Sequence, residues 1–175
     1  MVTLQKTKIY AGIGSRNTPE DVLQLMKEIG MYLATKGFIL RSGHAVGADT
    51  AFEKGCDAKK GRKEIFFAYH AKNDKAALDL AASVHPAWNK CTEYAQLLHA
   101  RNGYIILGKD LKSPVNYVIC YQDERNRYGG TWQGIKIARS KGIRVYNLWR
   151  SKTRKAIEDR INKIKKEAQD GRISK

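Results

Sequence analysis

The chain has 175 residues, 42% hydrophobic and 29% charged, enough for one domain with a real core and too apolar for wholesale disorder. Thirty-three Lys and Arg against 17 Asp and Glu leave a net charge of +16, an excess that attracts polyanions, nucleic acid foremost. No apolar run is long enough to span a bilayer, and the opening MVTLQKTKIYAGIG lacks the apolar stretch and cleavage site of a signal peptide; the expectation is a cytoplasmic protein without a membrane partner.

Residues 8–13, KIYAGI, read as a first strand that ends at Gly14-Ser15. Thr18 then suits an N-cap, Pro19 the first helical position and Asp21 the positive end of the helix dipole. Val22, Leu23, Met26, Ile29 and Leu33 recur at helical spacing up to Gly37, a stop. Phe38–Leu40 is a second strand, and a second helix runs from Ala48 to about Lys60. Residues 64–69, EIFFAY, read as a third strand, apolar as strands buried on both faces are. Residues 71–87 suggest a short Ala-rich helix and a loop at His85-Pro86, and Trp88 to about Ile106 one longer helix. Residues 117–121 form a fourth strand, 122–130 a polar loop, 131–140 a helix and 143–148 a fifth strand. The end is a very basic helix with Ile157, Ile161 and Ile164 as a narrow stripe.

Strands alternating with helices imply a single α/β domain with a doubly wound, mainly parallel sheet and helices on both faces, over residues 1–150. The basic helix of 151–175 either packs on that domain or extends from it, as a solvated amphipathic helix or as an arm along nucleic-acid phosphates. In such sheets ligands sit beyond the C-terminal strand ends. Three turns of small residues fall there: Gly12-Ile13-Gly14-Ser15-Arg16, Ser42-Gly43-His44-Ala45-Val46-Gly47-Ala48-Asp49 and Tyr128-Gly129-Gly130-Thr131. Glycine admits close backbone approach and a helix N-terminus favours an anion, so phosphate is the expected guest. Ser15, Ser42 and Thr131 add hydroxyls. Neither a full dinucleotide fingerprint nor a P-loop is present, and no cofactor is expected. Cys56, Cys91 and Cys120 form no CxxC pair and read as reduced core thiols. With His44, His70, His85 and His99 they show no ligand spacing, so no metal site is expected.

The stretch SGHAVGAD at 42–49 resembles the SGGAxGxD turn of DNA-processing protein A (DprA). Ala100-Arg101-Asn102 is similar to that family's ARN segment, and Gly129-Gly130-Thr131…Ala138 to the last Gly-rich turn of DprA and of the LONELY GUY (LOG) phosphoribohydrolases. The chain is thus identified, over about residues 8–148, as a member of the Rossmann-like SLOG superfamily. The resemblance implies a nucleotide or nucleic-acid ligand over the three turns and a homodimer. His44 stands where the second glycine of SGG is usual. Gly129-Gly130-Thr131-Trp132-Gln133 lacks both the PGG and the glutamate of LOG enzymes, although Arg101 can stand for their arginine.

Cleaving an N-glycosidic bond needs a carboxylate near the anomeric carbon. Asp49 and Glu53, four apart, share a helical face. Asp49 faces the ligand or caps its helix, whereas Glu53 pairs with a surface Lys and is not catalytic. Asp123 and Glu124 either enter the site or solvate a loop. Arg16 is a phosphate ligand, and Arg101, on an apolar helical face, either snorkels to water or reaches an anion. His44 stacks on or donates to the ligand, Trp132 is helix core and His70 a candidate by position alone. The phosphate set is therefore Gly12, Gly14, Ser15, Arg16, Ser42, Gly43, His44, Gly47, Asp49, Gly129, Gly130 and Thr131, with Arg101 and Asp49 as the catalytic pair if there is catalysis. The leading expectation is a protein that holds a phosphorylated nucleoside or nucleotide derivative; cleavage of its N-glycosidic bond, in the manner of a phosphoribohydrolase, stays open because the LOG glutamate is missing. The alternatives are a DprA-like single-stranded DNA-binding protein and a non-catalytic nucleotide sensor or sequestering protein.

Overall fold

Alternation of side chains across each strand decides how this chain packs. A computed structural model describes residues 7–173; residues 1–6 of the expected domain and 174–175 of the expected tail helix lie outside it. Five strands, β1 (Ile9–Gly14), β2 (Ile39–Ser42), β3 (Lys63–Ile65), β4 (Tyr117–Tyr121) and β5 (Arg144–Asn147), form one sheet in the order β3-β2-β1-β4-β5. All pairs are parallel, with Ile9 opposite Ile39 and Tyr10 opposite Tyr117. On one face, Tyr10, Leu40 and Ile119 meet Val22 and Met26 of α1 (Glu20–Thr35), Phe52 of α2 (Ala48–Ala58) and Ile161 of α6 (Ser151–Ile173). On the other, Ala11, Ile13 and Val118 meet Ile105 and Ile106 of α4 (Glu93–Leu107) and Ile135 and Ile137 of α5 (Gly129–Ser140). Tyr10 and Ala11 are neighbours in the chain yet serve opposite layers, as a period of two requires. This is the expected doubly wound α/β fold.

From the edge strand β3 the chain passes through α3 (Lys75–Val84) and α4, then returns to β4 beside β1. The strand order therefore reverses between β1 and β4, where open α/β sheets place ligands. The tail helix α6 lies against α1, with Ile161 buried, Ile157 packed on the same cluster, and Lys165 bonded to Glu28 at 2.6 Å. Among the described residues no helix is long and apolar enough to cross a membrane.

Several boundaries differ from expectation, each for a local reason. Pro19, not Thr18, occupies the cap position of α1; the Thr18 hydroxyl instead donates to the Ser15 carbonyl at 2.6 Å. The third strand stops at Ile65, and Ala68–Ala71 winds into a 3-10 turn whose Phe67 amide donates to His70 Nδ1. β3 is an edge strand, so the apolar run there reflects contacts of Phe66 and Ala68 with the core rather than burial on two faces. The helix expected from Trp88 is broken into a 3-10 turn, Trp88–Lys90, and α4, because Thr92 Oγ1 accepts from the Ala95 amide and starts a new helix. α5 begins at Gly129, two residues before Thr131, so the two glycines are its first turn.

The Tyr10 hydroxyl is buried with no hydrogen-bond partner among the described residues, in a ring cluster with Phe38, Phe52 and Tyr117. A buried hydroxyl left without a partner costs about 1–3 kcal/mol. Tyr10→Phe should therefore raise stability by about 1 kcal/mol in urea unfolding; a loss of that size would mean that the hydroxyl is satisfied.

Candidate functional site

The residues after β1, β2 and β4 do lie along one edge of the sheet, but they use their polar groups differently. In the first turn, a Cβ on Gly14 would fall 2.3 Å from the Ala48 Cβ, and one on Gly12 2.7 Å from the Phe52 ring. These glycines seat α2 on the sheet. The Ser15 amide donates to the Tyr121 carbonyl at 2.9 Å, and its Oγ accepts from the Asn17 amide at 3.3 Å. Arg16 is exposed. Ser42, expected as a ligand donor, is the buried last residue of β2, and its hydroxyl donates to the Gly12 carbonyl at 2.7 Å.

The second turn folds around its own carboxylate. Asp49 Oδ2 accepts from the amides of Gly43 at 3.1 Å and Ala45 at 3.3 Å, while the Gly47 amide donates to Thr50 Oγ1. Asp49 thus neither caps α2 in the usual sense nor leaves the turn open; it occupies the place that an external anion takes in such a nest. Arg101 Nη1 lies 3.9 Å from the same Oδ2, an ion pair too long for a hydrogen bond. Both side chains are buried. Desolvation pushes the Asp49 carboxyl up from 3.8 to about 6, against the opposing pull of Arg101 and the two amides. Burial likewise draws Arg101 below its ordinary value, with Asp49 pushing back. The Arg101 Nε is buried without a hydrogen-bond partner among the described residues. Arg101 therefore does not snorkel to water: it is 7% exposed.

Gly43 explains how that guanidinium fits. A Cβ there would sit 1.1 Å from Arg101 Nη1, so the arginine occupies the volume of the missing side chain. The next position, which the resembled family fills with glycine, carries His44 at φ 59°, in the left-handed region. Its Nδ1 lies 2.9 Å from Glu53 Oε1. A carboxylate only accepts, so Nδ1 carries a proton and donates to Glu53. Glu53 is buried and also receives Lys63 at 3.4 Å; its main service is to orient His44, a role that the four-residue spacing from Asp49 did not reveal.

The third turn is the open one. Gly129 and Gly130 are exposed in the first turn of α5, which has no side-chain cap and no acidic residue there. Asn102, next to Arg101, donates from Nδ2 to the Gly130 carbonyl at 3.3 Å and to Gln133 Oε1 at 3.1 Å. α4 thus links the second and third turns, a connection through Asn102 and Gln133 that sequence reading missed. Asp123 pairs with Arg125, and Glu124 with Arg150 and Arg139, so both solvate and close the loop after β4. Trp132 is half-buried against the second core face, with Arg127 and Arg139 over its ring at 5.9 and 5.4 Å. His70 lines a separate groove of about 590 Å³ along β3, with Arg41, Glu64 and Lys109. A second groove, of about 360 Å³, runs between α1 and α2. Neither is lined by Arg101, Asp49 or the glycines of α5.

No family model, curated protein or solved structure matches the chain.

Two outcomes follow from this geometry. Gly43→Ala displaces a buried guanidinium and leaves Asp49 without its counter-charge, so urea unfolding should show a loss of about 3 kcal/mol; wild-type stability would contradict the packing of Arg101 against Gly43. The second concerns pH. Asp49 binds its proton more tightly folded than unfolded, so its contribution is present below pH 3.8 and is lost as pH rises through about 6. Relative to Asp49→Asn, the wild type should lose about 3 kcal/mol across that window. A wild type that instead gains stability relative to Asp49→Asn as pH rises would show the carboxylate to be net stabilised by its partners.

Proposed function

We propose that this protein binds a phosphorylated nucleoside or nucleotide derivative across the C-terminal ends of β1, β2 and β4. The phosphate rests on the first turn of α5, and Arg101 supplies the counter-charge from behind the second turn. The observation that carries the reading is the state of Arg101. It is buried behind the turn that follows β2, stands 3.9 Å from the Asp49 carboxylate, and has an Nε with no hydrogen-bond partner among the described residues. A buried cation so incompletely matched favours an anion nearby. The amides of Gly130 and Thr131, at an uncapped helix start, offer the donors. Relative to the sequence expectation the phosphate set contracts, since the amides of Gly43 and Ala45 and the hydroxyl of Ser42 are engaged internally.

In this reading His44 meets the ligand from the second turn, held by Glu53. Asp49, with a carboxyl raised to about 6, has the proton affinity that suits acid–base work near neutrality, and Arg101 balances its charge. If the ligand is cleaved at its N-glycosidic bond, that step rests on Asp49 and Arg101. A non-catalytic nucleotide sensor uses the same residues without the cleavage step.

A second reading, single-stranded DNA over the same edge, draws on one observation besides charge. Phe67 and Tyr69 are exposed and stacked, 5.5 Å apart and 6° from parallel, and the His44 ring lies 5.6 Å from Phe67. Such rings are platforms for bases.

A thermal-shift screen of nucleoside monophosphates, cyclic dinucleotides and short single strands separates these readings. A nucleotide at a hundredfold excess over its Kd should raise the melting temperature by about 5–10 °C. Gly130→Asp should erase that shift and leave the unliganded melting temperature in place, because a Cβ at Gly130 meets only Asn102 Nδ2, at 3.3 Å. Undiminished nucleotide binding in Gly130→Asp would overturn the proposed phosphate seat. A shift given by oligonucleotides alone, steeply weakened by salt, favours the DNA reading. Base release from a bound monophosphate that disappears in Arg101→Ala supports cleavage.

A further inference from the structure

On the far side of α4 from the second turn, three donors that lie far apart in spacing meet in space. His85 ends α3, Cys91 lies in the connection that follows, and His99 is on α4. One donor atom from each lies within 4.8 Å of the others. The Cys91 Sγ is 3.7 Å from His85 Nε2, and the His85 and His99 rings are 4.5 Å apart between centroids. Tetrahedral zinc, with Zn–S of about 2.3 Å and Zn–N of about 2.0 Å, sets its sulfur and nitrogen ligands about 3.5 Å apart. The sulfur–nitrogen separation here is within a few tenths of an ångström of that value.

The tautomer of His99 suits a ligand. Gln133 is 2% exposed; its Nε2 donates to the Ala81 carbonyl, and its Oε1 accepts from Asn102 Nδ2. That amide is therefore fixed with its oxygen toward His99, whose Nδ1 lies 2.6 Å away and must donate. The Nε2 lone pair of His99 is left for another partner. An imidazole whose second nitrogen is anchored to a buried carbonyl oxygen is the usual outer support of a metal-bound histidine. Cys56 and Cys120 are buried, and burial raises both thiols, Cys120 to about 12. Cys91 is half-buried, with its Sγ beside the His85 ring.

We propose that His85, Cys91 and His99 form a binding site for a zinc-class divalent transition metal, with the fourth position open to water. The ion displaces the thiol proton of Cys91, which passes to solvent, and one thiolate–metal and two imidazole–metal bonds form without any change of oxidation state. At His85 the ring proton moves to Nδ1 when Nε2 takes the metal, at the expense of the 3.2 Å bond from the Ala87 amide. The site ties the connection between α3 and α4 to the helix that carries Arg101 and Asn102. Spacing alone hides it, because the 3-10 turn at Trp88–Lys90 folds Cys91 back toward His85.

Titration of the reduced full-length chain with Co²⁺ tests the site. The expected result is saturation at one equivalent, a sulfur-to-cobalt charge-transfer band in the near ultraviolet and intense tetrahedral bands in the visible, all bleached by one equivalent of Zn²⁺. Cys91→Ser should lose the charge-transfer band. His85→Ala, on a separate element, should weaken Co²⁺ binding roughly tenfold or more. Absence of the band at one equivalent in the folded wild type would overturn the proposal. So would a band that persists in Cys91→Ser, since the sulfur would then belong to Cys56 or Cys120.

Discussion

The close approach of the Arg101 guanidinium to the α-carbon of Gly43 organises the C-terminal edge of the sheet. A side chain at residue 43 and an arginine at residue 101 cannot coexist, because the Cβ would lie 1.1 Å from Nη1. With the glycine in place, a positive charge is held behind a turn only one backbone thick. Asp49 then closes that turn from within, taking two of its amides and standing 3.9 Å from the arginine. Two opposite charges are removed from water and matched loosely, which is why burial outweighs attraction and the Asp49 carboxyl rises to about 6.

That arrangement redistributes the work of the three glycine turns. The first secures α2 to β1. The second is a self-filled nest whose outward product is His44, raised into a left-handed conformation and held by a buried Glu53. The third alone presents exposed amides at a helix start. Asn102, next to Arg101, joins α4 to the Gly130 carbonyl at that helix start. Three residues of α4 thus face three sets of neighbours: His99 toward His85 and Gln133, Arg101 toward Gly43 and Asp49, Asn102 toward Gly130 and Gln133. A shift of this helix moves all three sets of contacts together.

The positive charge of the chain is partly spent within the fold. On α6, Lys155 and Asp159 are paired four residues apart, and Lys165 and Arg154 reach Glu28 and Asp21 of α1. Such exposed pairs add little stability, but they lower the charge that the helix shows to a polyanion.

The sequence by itself determined the layer order. Strand and helix alternation, the caps and the apolar periods are local properties, and the parallel sheet followed from them. The same local reading marked the three turns, Asp49 and Arg101. It failed where chemistry depends on distant neighbours. Ser42 looks like a free hydroxyl until β1 brings the Gly12 carbonyl to 2.7 Å. Phe66 and Ala68 look like strand until the edge position of β3 is known. Cys91 is six residues from His85 and eight from His99, a spacing without meaning until a 3-10 turn and a new helix cap fold the connection on itself. Only the tertiary structure decided which donors were used up internally and which remained, because hydrogen-bond partners and desolvation are properties of three-dimensional neighbours and have no period along the chain.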